Sequence, residues 1–108
     1  MSNFIDKATY ISAGDMSSDV TGGAVKVTNC TEVAIIATVS SGSSPVGSLI
    51  VQVSNDNSTW VASSATSAVS ADGSTLLSLS GVAAKYIRLF YDVTSGSGTL
   101  NASCFAKA

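Results

Sequence analysis

A chain of 108 residues with seven acidic side chains, five basic ones and no histidine has room for one domain and one core. Only 11% of it is charged, against about 25% in ordinary soluble domains, whereas roughly three residues in ten are serine or threonine. A net charge of −2 leaves no electrostatic footprint for nucleic acid or an anionic membrane, and the missing imidazole removes the usual general base and most transition-metal sites.

In chain order, the first two dozen residues carry Phe4, Ile5, Tyr10 and Ile11, and residues 1–24 read as an N-terminal arm or edge strand on a single domain spanning 1–108. The opening Met-Ser-Asn-Phe-Ile-Asp-Lys has no basic segment followed by a long apolar run, so a chain made in the cytoplasm without a secretory leader is expected. Turn-forming clusters follow at Ser12 to Asp15 and Thr21 to Gly23. From Val33 to Val39 both alternating faces are apolar, which predicts a central strand too short to span a bilayer.

Ser40 to Gly47 reads as a loop, and it holds the lone proline, Pro45, where a lost N–H harms no ladder. Leu49, Val51 and Val53 then alternate with Ile50, Gln52 and Ser54, giving a strand that ends in the polar turn Asn55 to Thr59 and in Trp60. Residues 60–75 are rich in alanine and serine and read as an edge strand or a long loop. Leu77 and Leu79 alternate with serines, and Ile87, Leu89, Tyr91 and Val93 alternate with Tyr86, Arg88, Phe90 and Asp92. A last strand sets Leu100, Ala102 and Cys104 on one face and Asn101, Ser103 and Phe105 on the other. Between these two, Thr-Ser-Gly-Ser-Gly predicts a tight hairpin reversal. The sum is an all-β domain: a single antiparallel β-sandwich, jelly-roll or discoidin-like, of about eight short strands.

Little of this marks a reaction centre. Asp56 and Asp72 both sit in turn sequence, where aspartate commonly bonds backbone, and no phosphate loop or nucleophile elbow occurs. No enzyme activity, catalytic residue, metal or cofactor is therefore expected. Asn55, Asp56, Asn57 and Ser58 offer oxygen donors for calcium, but without a second acid in the loop an Asx-type turn is the better reading. Asn29, Asn57 and Asn101 open Asn-x-Ser/Thr triplets, as chance allows in so hydroxyl-rich a chain.

Cys30 and Cys104 lack both the partners for a zinc site and the Cys-x-x-Cys spacing. Buried unpaired thiols are the first reading, and a disulfide joining an early strand to the last one is the alternative. The candidate contact residues are Asn55, Asp56, Asn57 and Trp60 with Ser95 and Ser97, the two loops being expected at one end of the sandwich. Trp60 is read as a plug for that end or, alternatively, as a sugar-stacking ring.

Val51-Gln52-Val53-Ser54-Asn55-Asp56-Asn57-Ser58-Thr59-Trp60 resembles the strand-turn-tryptophan element of discoidin-type domains, and Lys85-Tyr86-Ile87-Arg88-Leu89 resembles their later strand. With Thr94-Ser95-Gly96-Ser97-Gly98-Thr99-Leu100-Asn101-Ala102, the combination also resembles small bacteriophage virion proteins. That resemblance covers about half the chain. It implies a particle component that decorates or builds a capsid or its projections, located in the virion, with copies of itself and other virion proteins as partners. The discoidin resemblance implies instead a glycan- or surface-binding module.

Overall fold

The computed structural model describes residues 4–27, 30–81 and 84–107. They form seven strands: β1 (Phe4–Asp15), β2 (Val20–Thr21), β3 (Val25–Lys26), β4 (Glu32–Ser54), β5 (Val61–Val69), β6 (Gly73–Ser80) and β7 (Tyr86–Lys107). β4 and β7 pair antiparallel along nearly their whole lengths, from Glu32 opposite Lys107 to Ser54 opposite Tyr86. Straight strands of 23 and 22 residues would run to about 70 Å or more. The longest dimension of the molecule is 44 Å, so this ribbon has to bend.

The bend lies where the pairing slips, between Ser40 and Gly47 on β4 and between Val93 and Thr99 on β7. On one side of it β1, the second half of β7, the first half of β4 and β6 are neighbours in that order; this is layer I. On the other, β2 and β3, the first half of β7, the second half of β4 and β5 are neighbours; this is layer II. Counting β2 and β3 as one interrupted strand and each long strand as two segments gives eight segments, ordered 1-8-3-6 and 2-7-4-5. That order is a jelly roll.

Alternation explains why the ribbon rolls up with the core inside. Val33, Ile35, Ala37 and Val39 of layer I and Leu49 and Val51 of layer II lie on one face of β4, and all are buried. Ile87, Leu89 and Tyr91 on β7 are buried as well, and past the slip so are Leu100, Ala102, Cys104 and Ala106. These side chains form one cluster with Met16, Val25 and Leu77, so the two layers share a single core.

Several expectations are corrected. Thr94 to Gly98 is not a hairpin reversal, because β7 continues through it: Ser95 pairs with Val46 and Ser97 with Ser43. Glycine is needed there for another reason. Gly96 has φ +81°, and a Cβ on it would stand 2.1 Å from the Ser44 carbonyl oxygen, so the kink brings two backbones together as the ribbon turns. Ser40 to Gly47 is likewise a bend inside a strand and not a free loop. Of the alternatives left open above, residues 61–69 are an edge strand rather than a long loop, and β1 is an edge strand of layer I rather than a loose arm. The strand over 33–39 is central, yet its second face is open, with Ile36 49% exposed.

Candidate functional site

The 55–60 turn joins β4 to β5, and its geometry is closed by its own aspartate. The Asp56 carboxylate accepts N–H bonds from Ser58 (2.9 Å) and Thr59 (2.7 Å) and an O–H bond from Ser54 (3.0 Å). These donors hold its carboxyl down to about 2, the Thr59 N–H contributing most. Asn55 accepts the Lys85 N–H, tying the turn to the entrance of β7. One oxygen of the lone acid in the loop is thus committed to backbone, as an Asx turn requires. Among the described residues no group of three potential metal ligands occurs.

Trp60 does not plug the end of the core. Its half-buried ring lies under the Arg88 guanidinium, 4.3 Å from the ring centroid, and Arg88 in turn donates from Nε to Gln52 Oε1 at 2.7 Å. Ile87 and Leu89 point inward, so Arg88 lies on the outer face of layer II and one face of the indole is covered by cation. A cleft of about 260 Å³ beside the turn is lined by Val53, Asn55, Asp56, Thr59, Val61 and Ala84. That is below the usual range of about 300–1,000 Å³ for small-molecule pockets.

Ser95 and Ser97 are not beside this turn. They lie at the bend, opposite Val46 and Ser43, and the strand 47–54 separates them from Asn55. Eight residues of strand span roughly 26 Å, which sets the two candidate loops at opposite ends of layer II.

Cys30 and Cys104 are both buried, and no disulfide joins them in the structure. Cys104 stands opposite Ile35 within layer I, whereas Cys30 precedes β4 and donates its N–H to the Val27 carbonyl at 2.9 Å. Of the Asn-x-Ser/Thr triplets, Asn29 lies outside the described residues. Asn101 accepts the Ala13 N–H at 2.9 Å and so holds a kink of β1. Other carboxylates also serve the backbone: Asp15 accepts from Ser17, Asp19 from Val93 and Asp72 from Gly42.

No local pattern announced the Tyr10 hydroxyl, which stitches the layers together. From β1 in layer I it donates to the Gly23 carbonyl and accepts the Leu89 N–H (3.2 Å) in layer II, at the gap between β2 and β3. A Cβ on Gly22 would fall 2.6 Å from this hydroxyl, so glycine makes room for the ring. Burial, its largest influence, pushes the phenol up to about 12, with the Leu89 N–H opposing.

Among the described residues, the outer face of layer I gathers three of the exposed large hydrophobic side chains, Ile36, Leu76 and Phe105. Ile36 and Leu76 stand opposite each other, and Ala34 stands opposite Phe105; Leu76 and Phe105 are 62% and 43% exposed. Serine, threonine and asparagine surround them. On the β4, β6 and β7 portions of this face the charges are Glu32 and Lys107, which pair at 3.4 Å.

No family model and no curated protein matches the sequence. Solved structures do match the fold. The SPBc2 prophage-derived protein YomS is similar at TM-score 0.66 and 13% identity, over 100% of this chain and 96% of that one. The PBSX exported protein XepA is similar at TM-score 0.65 and 14% identity, over 98% of this chain and 36% of that one. A chain of the T13 viral particle of IBDV is similar at TM-score 0.60 and 14% identity, over 98% and 31%. At such identities what is shared is the fold. It is the fold of phage-derived proteins and of a viral particle, and the discoidin side of the resemblance has no counterpart among these three.

Proposed function

We propose that this chain is a structural protein of a bacteriophage particle, a jelly-roll subunit that self-assembles and decorates or builds the capsid or its projections. The observation that carries the reading is the end-to-end likeness to a prophage-derived protein, in which one jelly roll accounts for nearly the whole of both chains. The IBDV likeness supports it from a second direction, since jelly rolls recur in viral coats.

The surface chemistry agrees with assembly. Four aspartates are engaged by backbone N–H groups, and the β4, β6 and β7 portions of the outer face of layer I are apolar at their centre, their charges being the paired Glu32 and Lys107. Such a face can be covered without leaving unpaired charge behind. The mechanism is non-covalent: neutral faces pack against other copies and other virion proteins, after synthesis in the host cytoplasm. Jelly rolls also occur in lectins, but the covered indole and the separated loops give a sugar no assembled platform.

The test is to induce the phage, band its particles on a density gradient and look for the chain by mass spectrometry. It should co-sediment with the particles and persist through a wash in high salt. Recovery only in the soluble lysate would remove the proposal.

A further inference from the structure

A jelly roll leaves four strand edges open, and in this chain three carry features that block pairing with another chain. β1 slips register twice against β7, between Lys7 and Ile11 and again between Ile11 and Gly14, and it ends at Asp15. β2 and β3 have two residues each, are separated by Gly22 to Ala24, and end at Lys26. β5 is irregular where Ile50 opposite Thr66 gives way to Gln52 opposite Ala62, and Ser63 there turns its hydroxyl onto the Val51 carbonyl at 2.6 Å. Bulges, charges and short strands are the usual protections of a sheet edge.

β6 has none of them. Gly-Ser-Thr-Leu-Leu-Ser-Leu-Ser pairs with β4 in unbroken register from Gly73 opposite Val39 to Ser80 opposite Glu32, without charge, proline or bulge. Among the described residues no strand pairs with its far side. Every second residue of such a strand turns its N–H and C=O outward, along roughly 26 Å.

We propose that β6 is an assembly edge, and that its occupant is the β6 of a second copy, paired antiparallel about a two-fold axis normal to layer I. The proposal deepens the assembly reading by naming its contact. A second copy fits because the edge is uncharged and so complements itself. The axis also preserves faces, so residues of like parity oppose each other. Centred on Leu76, it sets the two Leu76 side chains about 5 Å apart on the outer face. Layer I then continues as one sheet across both copies, and the apolar strip of Ile36 and Leu76 runs on into its own mate. A single pair of strands makes a small contact, so a dimer with weak affinity is expected in solution, reinforced in a particle by many simultaneous contacts.

The experiment is sedimentation velocity from about 1 µM to about 1 mM on the wild type, Leu76→Lys, Ser78→Lys and the β5 control Ser64→Lys, with circular dichroism to verify folding. All three positions are exposed, so the added amine lies in solvent. The wild type and Ser64→Lys should climb from 10.8 kDa towards twice that mass, while the two β6 variants dimerise at least ten-fold more weakly. A wild type that stays at 10.8 kDa throughout overturns the proposal, as do β6 variants that dimerise like the wild type, or a Ser64→Lys that fails equally. Presence in banded particles is a separate readout, so this edge can fail while the virion reading stands.

Discussion

Single polar residues do structural duty that composition could not reveal. Tyr10 supplies the Leu89 N–H with a partner at the break between β2 and β3, so Tyr10→Phe leaves a backbone donor unpaired and should cost about 1–2 kcal/mol in chemical denaturation. The phenol is pushed up to about 12 in the folded protein from an ordinary 10.0. Its contribution is therefore complete below pH 10 and lost as pH rises from there through 12, and alkaline melting curves of wild type and Tyr10→Phe should converge over that window. Asp56 runs the other way. Its carboxyl is held at about 2 against an ordinary 3.8, so the turn it closes contributes fully above pH 4 and fades as pH falls towards 2. Asp56→Ala should melt below wild type at neutral pH, and the gap should narrow across that acid range. Cys30 and Cys104 should both react with a thiol reagent after denaturation without reductant, and neither should react in the native protein; a disulfide would give none in either state.

At the scale of strands, the two bends decide the architecture, and glycine chemistry decides the bends. Gly96→Ala forces a side chain onto φ +81° and against the Ser44 carbonyl, and should lose about 2 kcal/mol or more. Gly23→Ala, with nothing within 4 Å of the added Cβ, should change stability little; urea titration of the pair measures the contrast. These elements also mark where the sequence was readable. Alternation placed Ile35, Leu49, Leu89 and Leu100 in the core and set strand starts near 33 and 86, because a period of two is a local property; the starts expected near 49 and 99 fall inside β4 and β7. The same local signal could not tell a reversal at Thr94 to Gly98 from a bend. Glycine and serine favour both, and the choice is made by whether β4 is present on the other side to keep pairing. The site fared similarly. The Asx turn was legible from Ser54 to Thr59, whereas the stacking of Arg88 on Trp60 and the reach of Tyr10 across layers depend on residues 28 and 79 positions apart.

For the molecule as a whole, the low charge has a structural sense once the layers are assigned. Asp15, Asp19, Asp56 and Asp72 bond backbone N–H groups, the core takes one face of each strand, and what remains is a hydroxyl-rich exterior with an apolar centre on layer I and one unprotected edge at β6. A free monomer gains nothing from that arrangement, whereas a subunit packed among copies does. The most direct measurement of this central claim is the copy number of the chain in purified phage particles, by quantitative mass spectrometry against a known capsid component. A structural subunit predicts a fixed number of copies in simple ratio to the particle's symmetry, unchanged between preparations. A trace amount that varies with each preparation, or none, would contradict it.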